Sequence, residues 1–229
     1  MDDAGTGTSG TGGTGGRVGA GPPREVLRLP GAHVRAVHVS AMDNACYLLT
    51  CPRSGEALLV DAADDAGALL AALPAGARLS RVVTTHGHWD HHRALREVVA
   101  ATGAVSAAGA ADAADLPVPP QELLGHGDRV RVGELELEVL QLRGHTPGSV
   151  ALLLQAPGAP PQLFTGDSLF PGGPGRTRSP QAFASLMDDL TERVFARLPD
   201  ETAVHPGHGL PTTLGQERPH LGAWRARGW

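Results

Sequence analysis

Positions 85–92 of the sequence read Thr-His-Gly-His-Trp-Asp-His-His and place several imidazoles and a carboxylate in one short stretch. His86, His88, Asp90 and His91 follow the spacing H-x-H-x-D-H. Groups so close together would repel one another if they carried like charges. Neutral imidazoles and an ionised carboxylate are, by contrast, the ligands that a divalent cation accepts. The spacing therefore predicts a metal site.

The residues on either side predict how this stretch is held. Residues 81–85 read Arg-Val-Val-Thr-Thr, and these β-branched residues are typical of a short buried strand. Residues 94–101 have the pattern of a helix. The predicted ligands therefore lie on a strand-to-helix loop, where a rigid scaffold commonly positions chemical groups.

Three later loops each supply one more candidate ligand directly after a predicted strand. His145 lies in Gly-His-Thr-Pro-Gly-Ser, Asp167 in Thr-Gly-Asp-Ser-Leu-Phe, and His208 in His-Pro-Gly-His-Gly. The glycines permit sharp turns and a close approach of the backbone. Because every candidate follows the end of a strand, we expect the four loops to converge at one edge of the sheets.

Short apolar runs separated by turn residues predict a fold rich in strands. The sequence Ser179-Pro180 predicts the start of a helix, because proline is favoured at the first helical position. Strands and helices mixed in this order indicate sheets covered by helices. The predicted strands cover residues 34–40, 45–50, 57–61, 81–85, 104–107, 149–154, 162–165 and 203–205, with a hairpin over 129–142, and the predicted helices start at residues 64, 94, 180 and about 214.

The length of 229 residues suffices for one large domain. Residues 1–24 form a Gly/Thr/Ser-rich tract that cannot bury apolar surface, and we expect them to be a disordered tail. Residues 25–229 are expected to form a single domain.

The charge and composition of the chain limit the classes of binding partner that we expect. The formal net charge is −5 and no basic face is evident, so we expect no nucleic-acid partner. We expect no membrane partner either, because no apolar run is long enough to span a bilayer. All 19 basic residues are arginine, which excludes lysine chemistry such as a Schiff base. A small-molecule substrate remains the expected partner.

The two cysteines predict a reducing compartment. Cys46 and Cys51 are five positions apart in a predicted strand, and because this difference is odd they point to opposite faces and form no disulfide with each other. We expect no secretory signal, because the N-terminus has no basic segment followed by an apolar one. Free thiols without such a signal are typical of a cytoplasmic protein.

Five motifs together resemble those of the metallo-β-lactamase fold superfamily. They are Asp61 at the end of a strand and the four ligand loops described above. The resemblance covers nearly everything from Val34 to Leu214. It implies an α/β fold, specifically a four-layer αββα sandwich of two mixed β-sheets flanked by helices.

The resemblance also implies two metal ions at the edge of the sheets. Asp167 would bridge the two ions together with a water or hydroxide, and Asp61 would steady the loop behind the ligands. Two groups of ligands are implied: His86, His88 and His145 for what we call site one, and Asp90, His91 and His208 for what we call site two.

The chemistry implied by this likeness is metal-assisted hydrolysis. Two Zn²⁺ ions would lower the pKa of the bridging water and present hydroxide at neutral pH, while Asp90 passes a proton to the leaving group. The ligand set is most similar to that of the short glyoxalase II-like members, which act on thioesters. The sequence therefore predicts a zinc-dependent hydrolase that cleaves a thioester or a small ester.

Several other functions fit the same residues. An iron persulfide dioxygenase of this fold would hold one Fe²⁺ with His86, His145 and Asp167. A lactonase would share the whole ligand set. A non-catalytic binding module would bind metal without turnover.

Three residues carry a weaker prediction of substrate binding. Arg176 and Arg178 lie in a Gly/Pro-rich loop and would meet an anionic substrate, although solvated loop charges are the simpler interpretation. Trp89 stands between ligands, where it would wall a pocket or simply pack. His92 and His205 are not expected to bind metal.

Overall fold

The computed structural model describes residues 24–228, with side chains from residue 27 onward. The predicted tail lies outside these residues except for Arg24, whose backbone begins the first strand. No helix within the described part of the chain is long and apolar enough to cross a membrane.

Seven strands form the first sheet, in the order in which they occur along the chain. The strands up to β4 pair antiparallel, and those from β4 to β7 pair parallel. The strands are β1 (Arg24–Leu29), β2 (Ala32–Val39), β3 (Asn44–Thr50), β4 (Glu56–Val60), β5 (Arg78–Thr84), β6 (Val105–Gly109) and β7 (Glu122–Leu124).

Six strands form the second sheet, in the order β15-β14-β11-β10-β9-β8. It is mixed as well, because β11 and β14 run parallel while the other neighbours are antiparallel. The strands of the second half are β8 (Arg129–Val132), β9 (Leu135–Gln141), β10 (Val150–Leu154), β11 (Gln162–Gly166), the small ribbon of β12 (Leu169–Phe170) and β13 (Gly173–Pro174), β14 (Ala203–Pro206) and β15 (Thr212–Thr213).

Helices cover the outer face of each sheet. One apolar cluster packs the first two helices on the first sheet, and another packs the later helices on the second sheet. The helices are α1 (Ala66–Ala71), α2 (Leu95–Thr102), α3 (Pro180–Asp189), which continues as a π-helix over Leu190–Phe195, α4 (Leu214–Glu217) and α5 (Leu221–Arg227).

The central core lies between the two sheets. Leu49 and Leu58 of the first sheet belong to the same buried cluster as Leu137 and Phe164 of the second. Strand β9 shows how the sequence produces this packing, because over residues 135–139 its apolar side chains alternate with glutamates and face the core between the sheets. The predicted αββα sandwich of two mixed sheets is confirmed.

The two cysteines follow the same logic of alternating faces. Cys46 is buried in the cluster under the first two helices, whereas Cys51 is buried in the core between the sheets. Both thiols are free. The prediction that they face opposite ways and do not pair is confirmed.

Sequence patterns missed some elements. Strands β1 and β7, the ribbon β12–β13 and the 3₁₀ turn Ala110–Asp115 were not predicted. Strand β7 and the two strands of the ribbon have only two or three residues each, so they lack the periodicity from which strands are predicted.

Candidate metal centre

The four predicted ligand loops converge at one edge of the sandwich. The loop of residues 85–92 follows β5, and the loops with His145, Asp167 and His208 follow β9, β11 and β14. A backbone bridge between Asn44 and His208 ties the two sheets together at this edge. Three overlapping groups of possible ligands result: His86, His88 and His145; His86, His91 and Asp167; and Asp90, His91 and His208.

The imidazoles of site one point at a common centre. His88 Nδ1 lies 3.1 Å from His86 Nε2 and 2.9 Å from His145 Nε2. Two nitrogens bound to one tetrahedral Zn²⁺ at the usual bond length are roughly 3.3 Å apart. The three side chains are thus spaced like ligands of one ion.

The side chains of site two converge in the same way. His208 Nε2 lies 3.1 Å from His91 Nε2 and 3.2 Å from Asp90 Oδ2. His91 Nε2 lies 3.6 Å from the same carboxylate oxygen. This group offers two nitrogens and one oxygen to a second ion.

Asp167 lies between the two groups. Its Oδ2 is 3.6 Å from His145 Nε2 in site one and 3.6 Å from His208 Nε2 in site two. Its Oδ1 is buried and makes no hydrogen bond of good geometry among the described residues, although His91 Nε2 lies 3.4 Å from it. An orphaned carboxylate oxygen in a ring of inward-facing nitrogens fits a bridging ligand, because a cation would satisfy both kinds of atom.

The outer nitrogens of four imidazoles are fixed by oxygen acceptors. Each outer N–H donates to an oxygen, so the inner nitrogen presents its lone pair to the centre. The pairs are His86 Nδ1 with Thr85 Oγ1 at 3.0 Å, His91 Nδ1 with Asp61 Oδ2 at 2.8 Å, His145 Nδ1 with the Arg176 carbonyl at 2.7 Å, and His208 Nδ1 with the Met42 carbonyl at 2.8 Å.

Asp61 lies directly behind the ligands, in a left-handed backbone conformation with φ of 61°. Its carboxylate accepts hydrogen bonds from the Thr85 backbone N–H at 2.7 Å and the Thr85 hydroxyl at 2.8 Å, besides the one from His91. The structure therefore places Asp61 where the sequence predicted a supporting residue.

Asp112 is a second buried support, which was not predicted from the sequence. Its carboxylate accepts hydrogen bonds from the Gly87 N–H at 2.8 Å, from the Gly148 N–H at 2.7 Å and from the Thr146 hydroxyl. Asp112 thereby joins the first ligand loop to the loop that carries His145. No pattern around this residue, in an alanine-rich turn, signals the role.

Asn44 was missed as well. Its amide Nδ2 donates to Asp90 Oδ2 at 3.1 Å and to the Asp90 carbonyl at 3.2 Å. These bonds fix the orientation of the carboxylate.

The pKa shifts of the side chains at the centre favour the binding of a cation. Burial, reinforced by neighbouring imidazoles, lowers the pKa of His86 well below its usual value. Burial disfavours the charge of Asp167, but the adjacent His91 outweighs it and holds the pKa of the carboxyl below its ordinary range. For His91, Asp61 and Asp167 outweigh burial and raise the pKa to about 10. A metal ion would displace the proton that His91 carries.

A cavity of about 740 Å³ opens beside site one. Among the weakly predicted residues, Trp89 and Arg178 line it, and the ring of Trp89 is 58% exposed. Arg176 lines a different hollow, and its carbonyl accepts the hydrogen bond from His145 Nδ1. His92 and His205 are absent from the three groups of possible ligands.

Comparisons with known proteins agree with this architecture. The model of the metallo-beta-lactamase superfamily matches residues 41–208. A hydroxyacylglutathione hydrolase of Polaromonas sp. strain JS666 is 37% identical over 189 residues, which are 78% of this chain and 68% of the relative. Other relatives of that name are matched over only 62% or 63% of their length.

Two solved structures are similar as well. The crystal structure of ETHE1 from Myxococcus xanthus is 32% identical with a TM-score of 0.71, and the match covers 82% of each chain. The crystal structure of TTHA1623 in a di-iron-bound form is also 32% identical, with a TM-score of 0.64 and coverage of 80% of this chain and 96% of that chain.

Proposed function

This chain belongs to the metallo-beta-lactamase superfamily, and we propose that it is a hydrolase that uses two divalent metal ions to cleave a thioester. The observation that carries the proposal is the arrangement of the seven candidate ligands. Sites one and two are linked through Asp167, so the centre has donors for two ions and not just for one.

We propose His86, His88 and His145 as ligands of one ion, Asp90, His91 and His208 as ligands of the other, and Asp167 as the bridge. Two such ions, when bound, supply a water of lowered pKa and polarise the substrate carbonyl. The remaining chemistry belongs to the side chains of the protein.

Asp90 is proposed to carry the proton to the leaving group. Burial opposes its charge, but the adjacent His91 and the Asn44 amide lower the pKa of its carboxyl, so it is ionised at neutral pH. Asn44 fixes one carboxylate oxygen, and the carboxylate is therefore aimed at the centre before the substrate arrives.

The substrate is proposed to be a small thioester. The relatives named hydroxyacylglutathione hydrolase support this class, and the cavity beside His88 and His145 has the size of a small-molecule site. We expect neither nucleic acid nor a membrane as a partner. The free thiols Cys46 and Cys51 support a reducing compartment such as the cytoplasm.

We propose zinc as the metal, since imidazole and carboxylate suit it. The same donors also suit iron, and a similar protein has been crystallised in a di-iron-bound form. A mononuclear iron dioxygenase that uses His86, His145 and Asp167 is the second candidate, and the likeness to ETHE1 is compatible with it.

The test combines metal content with turnover. The protein, purified without added metal, should contain two zinc ions per chain and release thiol from a hydroxyacylglutathione. Asp90→Ala and His208→Ala should abolish this release, whereas the exposed substitutions Asp188→Ala and His220→Ala should not. One iron per chain with oxygen uptake on a persulfide would support the second candidate instead. Thiol release by Asp90→Ala at the parental rate would refute the proposed role of Asp90.

A further inference from the structure

A second cavity, of about 410 Å³, opens between the edge strands of the two sheets. Leu27 and Leu29 of β1 line it, together with Thr212 and Thr213 of β15. It shares no described lining residue with the cavity beside site one, and none of its described lining residues is a candidate metal ligand. Cavities of this size hold small molecules, whereas the interior of a protein is otherwise closely packed. This space is therefore large enough for a ligand and separate from the metal centre.

The sequence around β14 explains why this space stays open. Glu201, Ala203 and His205 occupy alternate positions, so their side chains lie on the same face, and all three line the cavity. Val204 lies between them in the sequence and is buried on the opposite face, in the cluster under the later helices. Ala203 has a small side chain where a larger apolar residue would fill the gap between the exposed Glu201 and the buried His205.

His205 lines the cavity with half of its hydrogen-bonding capacity unused. Gln162 Nε2 donates to the Pro160 carbonyl at 2.8 Å, so Gln162 Oε1 is the acceptor for His205 Nε2–H, also at 2.8 Å. Burial keeps the imidazole neutral, because it lowers the pKa of His205 to about 4. A neutral ring with its hydrogen on Nε2 has an acceptor lone pair on Nδ1, and no donor among residues 24–228 forms a hydrogen bond with it. His205 is only 4% exposed, so a donor inside the cavity would complete its hydrogen bonding.

The other lining residues limit the kind of molecule that carries this donor. Leu27, Leu29, Pro160 and Pro211 give the cavity apolar walls. Glu201 is the one charged side chain among the described lining residues, and its carboxylate disfavours an anion. A cation would lose its hydration between the apolar walls. The lining therefore favours an uncharged, largely apolar molecule.

We propose that this cavity is a second small-molecule site, which binds an uncharged apolar molecule through one N–H or O–H donor to His205 Nδ1. The apolar body of the ligand lies against Leu27, Leu29 and Ala203. The site is independent of the proposed function, because its described lining includes no candidate metal ligand. Strand β14 leads from His205 into the loop with His208, so a bound molecule contacts the strand that positions a ligand of site two.

Indole and benzofuran are matched probes for this site, because they have nearly the same size and only indole has an N–H donor. An NMR titration of the metal-loaded protein with indole should produce saturable shifts of the backbone amides around Ala203 and Thr212. Indole should bind about 3–10-fold more tightly than benzofuran, as expected for one additional hydrogen bond. The same titration in the presence of a chelator should give the same affinities, because the cavity is separate from the metal centre.

Two substitutions test the space and the acceptor separately. Ala203→Leu fills the cavity from a partly exposed position and should abolish saturable binding of indole. Ala223→Leu is the matched control, because Ala223 is exposed on α5 and does not line the cavity, and this variant should bind indole like the parent. His205→Phe keeps an aromatic ring against Phe164 but removes the acceptor, so it should bind indole and benzofuran equally.

Three results would overturn the proposal. Indole binding that survives in Ala203→Leu would show that the probe binds elsewhere, for example in the cavity beside site one. Equal affinity of the parent for indole and benzofuran would exclude the hydrogen bond to His205. The absence of any saturable shift with indole would show that the cavity is not a ligand site. The first two results do not require His205→Phe, so the test stands even if that variant does not fold.

Discussion

The two halves of the metal centre are built differently around similar ligands. In site two, both imidazoles donate to oxygen acceptors, and Asn44 holds the carboxylate of Asp90. In site one, His86 and His145 are fixed in this way, but the outer nitrogen of His88 faces Arg178 and the cavity. The difference indicates that site two is the anchored half and that site one is the half open to substrate.

The buried carboxylates of Asp61 and Asp112, which support the two sites, also make different contacts. Asp61 contacts a ligand ring directly, through His91. Asp112 contacts no ligand and instead ties together the backbones of the two loops that supply site one. Both carboxylates accept from a backbone N–H of the first ligand loop, at Thr85 for Asp61 and at Gly87 for Asp112, but only Asp61 also accepts a hydrogen bond directly from a ligand ring.

Removing the side chain shared by the two halves should have the largest effect. In Asp167→Ala, both groups lose their common carboxylate, so we expect less than one metal per chain. We also expect a loss of kcat/KM of roughly 10³-fold or more, beyond the 10–100-fold typical of a residue that only supports a ligand. Metal analysis measures the metal content per chain, and thiol release measures kcat/KM. Asp188→Ala is the control, and retention of two metals by Asp167→Ala would contradict a bridging role.

A methyl group placed behind Asp167 should distort the centre from its other side. A Cβ on Gly207 would collide with Asp167 Oδ1 and His91 Cε1. Overpacking of this kind commonly costs about 1–3 kcal/mol, so Gly207→Ala should unfold at lower urea concentration and bind metal weakly at site two. Gly222→Ala is the matched control, because nothing lies within 4 Å of its Cβ. If the two variants are equally stable and bind metal alike, the close packing inferred at Gly207 is wrong.

Substitution of the two buried aspartates, one at a time, should weaken metal binding mainly at different sites. Asp61→Asn places an amide N–H against a donor of His91 or Thr85, and Asp112→Asn does the same at the backbone of Gly87 or Gly148. We expect each variant to weaken metal binding by about 10–100-fold. The larger effect is expected at site two for Asp61→Asn, because Asp61 contacts His91 directly and His86 only through Thr85, and at site one for Asp112→Asn.

Competition with a chromophoric chelator, titrated through two phases, would resolve the two ions. The prediction requires that Asp61→Asn weakens metal binding most in one phase of the titration and that Asp112→Asn weakens it most in the other. Equal weakening of both phases by both variants would show that the aspartates stabilise the fold as a whole, and that the proposed division of labour does not exist.

The sequence was most informative where chemistry and spacing coincide. The candidate ligands were found because imidazoles and carboxylates recur directly after strands, and strands with one buried face, such as β9, show their alternation openly. The structure places Asp61 at the site for the same reason, since it follows β4 directly. Metal binding by these residues stays a prediction, although their convergence supports it.

The functional residues that were not predicted from the sequence act through contacts between distant parts of the chain. Asp112 acts on Gly148, which is 36 positions away, and Asn44 acts on Asp90, which is 46 positions away. Such contacts arise only when the two sheets and their loops pack together, so no local pattern announces them. Arg176 and Arg178 show the converse, because neighbours in sequence reach different hollows.

The smallest effect concerns His205, which shares the segment His-Pro-Gly-His-Gly with the site two ligand His208 but lies inside the sandwich. Its Nε2 is 2.8 Å from Gln162 Oε1, its ring stacks on Phe164, and Tyr47 packs against its edge. Burial lowers the pKa of His205 to about 4. The folded chain therefore keeps this ring neutral while the unfolded chain protonates it near its ordinary pKa of 6.5.

The stabilisation from a neutral His205 is fully present above pH 6.5 and is lost as the pH falls toward 4, because only the unfolded state gains a proton in that range. Between pH 7.5 and 5.5, the parent should lose about 1.3 kcal/mol more unfolding free energy than His205→Gln. Urea unfolding in the presence of a chelator removes metal release from both measurements, and the exposed substitution His220→Gln should behave like the parent. If His205→Gln loses as much stability as the parent over this range, the core histidine is not the titrating group, and the acid sensitivity originates in other histidines of lowered pKa, such as His86 or His126.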